Sequence, residues 1–309
     1  MSAAEELLNE LEVTADPFAL CEVIGGGTLG LGRDAGATLH YVLQGRGRFL
    51  LSGGQVLEVA PGTLVFLPAG QAHTLEGRGG PALSRPAACR AAELGLAHLV
   101  QDDGADRDAA RLVALCARVS LGLRGAPGVV EMLRAPLVVG RDDVNGLGHA
   151  VDALLHELRM PAPGGRAMVR ALLLQCVLAM LRARAMAGDA ATGWMPLLAD
   201  TRLRRAVMAM LNDPAAPHRL EDLAALAGMS RSAFAQHFAA CHGDGPASFL
   251  RDLRMSRAAV LLARGDVPVE RVATQVGFAS RSAFSRAFLQ AHGVAPAAFR
   301  HHAAPEPVP

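Results

Sequence analysis

Apolar residues in the first third of the chain come in short bursts separated by glycine- and proline-bearing turns. Leu39 to Leu43, Arg48 to Leu51, Gln55 to Val59 and Thr63 to Leu67 are strand candidates. Gln44-Gly45-Arg46-Gly47, Ser52-Gly53-Gly54 and Pro61-Gly62 supply the turns between them. Residues 18–100 therefore read as a small β-barrel or sandwich. After a polar, acidic stretch (Gln101 to Asp108) the period changes. Val144, Leu147, Val151, Leu154, Leu155 and Leu158 share one face of a helix, as do Val169, Leu172, Leu173, Cys176 and Met180. Pro161-Ala162-Pro163-Gly164-Gly165 turns the first helix back on the second. The apolar faces of this pair can pack on the barrel, and part of them can join two subunits. Gly188 to Pro196 reads as a linker. From Asp200 the pattern is helical, with Leu203, Val207, Met210 and Leu211 on the first core face.

The helical part contains a repeat. Ser230-Arg231-Ser232-Ala233-Phe234 returns fifty residues later as Ser280-Arg281-Ser282-Ala283-Phe284. Phe238, His242-Gly243, Pro246 and Phe249 match Phe288, His292-Gly293, Pro296 and Phe299. Each copy is a helix (Leu220 to Ala227, Val269 to Val276), a turn with glycine (Gly228, Gly277), and a second helix opening at a serine cap. This is the layout of a helix-turn-helix, whose second helix enters the major groove of DNA. A helix over Leu250 to Leu262 joins the copies. In each second helix the phenylalanines lie four apart and share the inner face. Arg231, Ser232, Ala235 and Gln236 then face outward in the first copy, and Arg281, Ser282, Ser285 and Arg286 in the second. Arginine can clamp guanine and glutamine can pair with adenine.

Charge follows the same division. All 30 basic Lys+Arg residues are arginine; residues 1–199 carry net −3 and residues 200–309 net +4. The basic part is the part with the repeat, as nucleic-acid binding requires. No apolar run reaches the roughly 18 residues of a membrane helix. The first residues carry Glu5, Glu6, Glu10 and Glu12 rather than a basic start, so a cytoplasmic location without membrane contact is expected. The five cysteines form no C-x-x-C pair, and no cofactor or structural zinc is expected.

Leu220-Glu221-Asp222-Leu223-Ala224, Gly228-Met229-Ser230-Arg231-Ser232, Arg254-Met255, Val276-Gly277-Phe278 and Gly293 through Phe299-Arg300 resemble the DNA-binding domain of AraC/XylS regulators. The resemblance covers about a third of the chain. It implies two helix-turn-helix units held one DNA turn apart, base contact from Ser232, Ala235, Gln236, Ser282, Ser285 and Arg286, and Arg231 and Arg281 flanking them. Leu253 stands where relatives often have tryptophan. Gly62-x5-Pro68-x-Gly70-x2-His73 resembles the second motif of the cupin superfamily. Metal-dependent cupins use three histidines and a glutamate. Only His40 and His73 match here, and Gln44 replaces the glutamate, so these two are weak candidates for a metal and no catalytic residue is named. Cys21 and Cys89 sit as in the reactive-chlorine-sensing cupin branch of the same family, with Arg90 beside Cys89; Cys116, Cys176 and Cys241 are expected to be structural.

The expectation is thus an α+β chain: a cupin-like sensor and dimerisation domain (1–187), a linker (188–199), an all-α double helix-turn-helix domain (200–302) and a tail (303–309). Its implied function is sequence-specific regulation of transcription, without enzymatic activity. Double-stranded DNA, RNA polymerase, a small-molecule effector or oxidant, and a second copy of the chain are the implied partners. The alternative is a metal-dependent cupin enzyme fused to a DNA-binding domain.

Overall fold

The computed structural model describes residues 3–78, 88–102, 110–124, 128–189 and 192–301. The expected tail, 303–309, lies outside the described residues, as does the side chain of Arg90. A short helix α1 (Ala3–Glu10) leads into eleven strands: β1 (Leu11–Ile24), β2 (Thr28–Gly32), β3 (Ala37–Gln44), β4 (Gly47–Leu51), β5 (Val56–Val59), β6 (Thr63–Leu67), β7 (His73–Gly77), β8 (Ala88–Ala91), β9 (Ala97–Asp102), β10 (Arg111–Leu123) and β11 (Leu137–Gly140). They form a seven-stranded sheet, ordered β11-β6-β3-β10-β1-β9-β8, and a four-stranded sheet, ordered β2-β7-β4-β5.

The space between the sheets is filled by Ala19, Cys21, Val23, Val42, Phe49, Val65, Leu67, Leu75, Leu112, Ala114 and Cys116. The opposite face of the large sheet is apolar too, carrying Leu39, Tyr41, Leu64, Phe66, Leu115, Ala117, Val119 and Leu121. The central strand β10 is consequently buried on both faces and reads as a continuous apolar run rather than an alternation. β1 holds a register shift between Pro17 and Ala19. This bulge changes the parity of the strand: Ala15 faces outward, whereas Ala19, Cys21 and Val23 face the barrel interior.

Helices α2 (Leu147–Arg159) and α3 (Gly165–Met186) cover the outer face, with Leu147, Val151, Leu154, Val169, Leu173 and Cys176 buried there. Arg166 fastens the start of α3 by donating to the carbonyls of Pro17, Leu94 and Gly95 at 3.1, 3.0 and 2.8 Å. Most of the apolar face expected to serve either packing or subunit pairing is used on the chain's own sheet. Met160, Met168 and Met186 remain exposed.

Residues expected as a linker are partly helical and packed. Trp194, Leu197 and Leu198 are buried around α4 (Met195–Ala199), which lies against α1. Leu7 of α1 is buried as well, and Glu10 pairs with Arg204 of α5 (Thr201–Asn212). A composition reading marks Gly188-Asp189 as a break, but the apolar Trp-Met-Pro-Leu-Leu run behind it buries like any other core segment.

The remaining helices are α6 (Leu220–Leu226), α7 (Arg231–His242), α8 (Pro246–Arg264), α9 (Val269–Gln275), α10 (Arg281–His292) and α11 (Pro296–His301). α6–α7 and α9–α10 are the two repeats, and α8 joins them. Their turns place Gly228 at φ +65° and Gly277 at φ +80°, the left-handed region where glycine carries no steric penalty. A methyl group at Gly228 would meet nothing within 4 Å. At Gly277 it would lie 2.7 Å from the Ala215 carbonyl oxygen. Alanine at Gly228 should cost only the dihedral strain, about 1–2 kcal/mol, and at Gly277 about 1–3 kcal/mol more. Urea denaturation of the two variants measures the gap, and equal costs would contradict this packing.

Candidate nucleic-acid interface and sensor core

Ser230 and Ser280 cap their helices, each accepting a 3.3 Å hydrogen bond from the backbone N–H three residues on (Ala233, Ala283). Asp200 caps α5 by accepting from Arg202 and Leu203 N–H, and its second oxygen meets His237 Nε2 of α7 at 2.7 Å. The first reading helix is thereby tied to α5. Inside the repeats, aromatic rings set the angle of each reading helix. Phe234, Phe238 and Phe249 are fully buried and stack edge to face, with centroids 5.7 and 5.4 Å apart. Phe284 and Phe288 pack as a tilted pair at 5.6 Å, and Phe288 meets Phe299 edge to face at 5.1 Å.

With those rings inward, the opposite sides are open. Arg231, Ser232 and Gln236 are exposed and Ala235 half-buried; Arg281, Ser282 and Arg286 are exposed and Ser285 half-buried. All eight sequence-predicted residues therefore lie on two matching helix faces. Arg231 pairs with Glu221 of α6 at 2.9 Å, so in the free chain its guanidinium is already engaged.

The sensor half rests on the helical half through side chains that sequence patterns gave no reason to select. The Arg33 guanidinium lies 4.0 Å above the Phe299 ring and is 5% exposed. That of Arg134 lies 5.8 Å from the Phe249 ring and bridges Asp252 at 2.8 Å. Phe249 and Phe299 are equivalent positions of the repeat, so each copy receives one cation from the sensor. Glu131, buried beside the barrel, pairs with Arg257 of α8. Burial pushes its carboxyl up, against the pull of Arg257. No local motif announces such contacts, because their partners lie more than a hundred residues apart.

The barrel interior holds one polar group of residues. His40 Nε2 is 3.0 Å from Thr38 Oγ1, and His40 Nδ1 is 3.1 Å from Cys116 Sγ. Cys116 Sγ is in turn 3.3 Å from Cys21 Sγ. His73 packs against His40, ring centroids 4.6 Å apart, and its Nδ1 is 3.0 Å from the Gln71 carbonyl oxygen. No group of three His, Cys, Asp or Glu residues able to hold a metal occurs among the described residues. Cys89 is exposed on the edge strand β8, opposite Leu99 of β9, which is itself opposite Cys21. Two strand spacings, roughly 10 Å, separate Cys89 from Cys21. The pair marked by position in the sequence is therefore not brought together; Cys21 instead meets Cys116. Leu112, Ala114 and Cys116 share one parity in β10, but the apolar residues between them mask it in the sequence.

A helix-turn-helix domain model matches residues 223–302, and a cupin model matches residues 5–185. The chain is an AraC-family transcription regulator with a cupin half. The regulator is 26% identical to the RCS-specific HTH-type transcriptional activator RclR of Escherichia coli, over 78% of this chain and 76% of that one. It is 37% identical to an AraC-like transcription regulator of Streptomyces lividans, over 30% and 31% of the two chains. Among solved structures it is similar to unsaturated-fatty-acid-bound ToxT of Vibrio cholerae (12% identical, 95% of both chains, TM-score 0.48). The DNA-binding domain of AdpA in complex with a target DNA matches 32% of this chain and 88% of that one, at 34% identity and TM-score 0.31. The regulator has no helix among its described residues long and apolar enough to cross a membrane.

Burial holds the regulator's two barrel histidines neutral. It lowers His73 to about 4, against the opposing Gln71 hydrogen bond, and lowers His40 well below the ordinary histidine range, aided by His73. The unfolded chain takes up these protons at an ordinary histidine pKa, so the stabilisation is complete above about 6.5 and is lost as pH falls toward about 4. Each histidine should contribute up to about 1.4 kcal/mol per pH unit in that window. Urea midpoints measured from neutral to about pH 5 should fall, and less steeply in His73→Asn. An identical slope in that variant would show that His73 is not held neutral in the fold.

Proposed function

We propose that the regulator reads two successive major-groove faces of a promoter with α7 and α10, and that the condition of the cupin core governs how it does so. The observation that carries this reading is the matched pair of exposed faces: Arg231, Ser232, Ala235 and Gln236 on one helix, Arg281, Ser282, Ser285 and Arg286 on the other. The second face carries hydrogen-bonding groups at both central positions, Ser285 and Arg286, where the first has only Gln236 beside Ala235. It is the stronger reader of bases. Docking of the sensor through Arg33, Arg134 and Glu131 leaves both faces open, so the signal acts on the spacing and tilt of the two helices rather than by covering them.

The chain acts by binding rather than catalysis, a reading supported by relatives that are named as transcription regulators. Its signal is a small-molecule effector or an oxidant, the relative RclR being named as specific for RCS. A cytoplasmic homodimer, using the exposed methionines of α2 and α3, and contact with RNA polymerase complete the proposal.

Arg286→Ala should lower affinity for the chain's own upstream region by about 1–3 kcal/mol, some 5- to 150-fold, and affinity for scrambled duplex far less. Electrophoretic mobility shift at fixed salt measures both. Equal losses on the two duplexes would remove Arg286 from base reading.

A further inference from the structure

The sequence set Cys116 aside as structural, yet the fold places it at the centre of a chain of donors and acceptors inside the barrel. Cys116 is paired across strands with His40 of β3, and Cys21 sits on the neighbouring strand β1 at the register of Ala114. The contacts are Cys21 Sγ to Cys116 Sγ at 3.3 Å, Cys116 Sγ to His40 Nδ1 at 3.1 Å, and His40 Nε2 to Thr38 Oγ1 at 3.0 Å. With the ring hydrogen on Nε2 and donated to Thr38, Nδ1 is left as an acceptor aimed at the Cys116 S–H. Both thiols are fully buried.

We propose that Cys21 and Cys116 form a dithiol that is oxidised to a disulfide by a small neutral two-electron oxidant, a hypohalous acid. This rests on the oxidant-sensing reading above and names the residue that completes the site. With hypochlorous acid, the Cys21 sulfur accepts chlorine and its S–H proton leaves with the hydroxide as water. Cys116 then attacks the Cys21 sulfur. The S–Cl bond breaks, chloride departs with the bonding pair, the Cys116 proton leaves with it as hydrogen chloride, and the S–S bond forms. Two thiols lose two electrons in all, and the oxidant becomes chloride and water.

Three observations favour Cys116 over Cys89 as partner. The Cys116 sulfur is already in contact with Cys21. It is held in place by the His40 ring, 3.1 Å away. Cys89, by contrast, lies two strands away with Leu99 between, and a disulfide tolerates no more than about 7 Å between Cα atoms. Bond formation draws the sulfurs from 3.3 Å to about 2.0 Å and so pulls β1 toward β10. The same β1 strand contributes the Pro17 carbonyl that Arg166 of α3 grips.

The test uses the purified full-length chain. Treat it with stoichiometric hypochlorous acid, block remaining thiols, digest without reductant and map the linked peptides. The expected product joins the peptides holding Cys21 and Cys116, in the unmutated chain and in Cys89→Ser alike, and is absent in Cys116→Ser. Mapping the unmutated chain needs no variant to fold. A Cys21–Cys89 link, or Cys21 oxidised with Cys116 still blocked as a free thiol, would overturn the pairing while leaving oxidant sensing intact. A Cys21–Cys116 link with no accompanying change in promoter affinity would support the pairing and remove oxidant sensing as the regulator's role.

Discussion

The six rings in the two repeats set the geometry on which recognition depends. Phe234, Phe238 and Phe249 fix α7 against α8, and Phe284, Phe288 and Phe299 fix α10 against the far end of the same helix. Because each set is fully buried, it orients the opposite side of its helix toward solvent without help from the reading residues themselves. The exposed residues of that side take no part in the packing that sets its angle. The sensor half uses the same aromatic sets: its two docking arginines stack on Phe249 and Phe299, the last ring of each.

Much of the helical half was legible in the amino-acid sequence. Serine caps, phenylalanines four apart and paired glycines are local signals, and the repeat doubles them; the boundaries of α6, α7, α9 and α10 follow directly. The strands β3, β4, β5 and β6 were equally clear, because Gly- and Pro-bearing turns bracket them. The eight candidate residues lie on the outward helix faces that periodicity gives them. The fold class and the family follow from the same signals.

What escaped the sequence has physical reasons. β10 is covered on both faces and so lacks the alternation by which a strand is recognised. β1 reverses its parity at the Pro17–Ala19 bulge, which hides the fact that Cys21 faces the interior. α4 follows a glycine and begins at a Met-Pro pair, which read as a break in the chain rather than as core. The contact of Cys21 with Cys116, and of Arg33 with Phe299, joins residues distant in sequence, and only the assembled sheet order β10-β1-β9-β8 separates Cys89 from Cys21.

The two repeats are alike in sequence but differ in how they are anchored. Leu203, Val207, Leu223, Phe234, Phe238 and Phe249 belong to the same continuous core as the outer face of the sensor sheet, whereas Phe284, Phe288 and Phe299 close a separate one. The first copy thus shares one packed core with the large sheet, while the second meets the barrel at its rim, through Arg33 on Phe299 and through the Gly70 turn against Ala259 and Phe299. With the proposed reading of DNA by α7 and α10, such unequal mounting resembles a caliper with one jaw built into its frame, and a shift of the sheet would alter the gap between the two jaws.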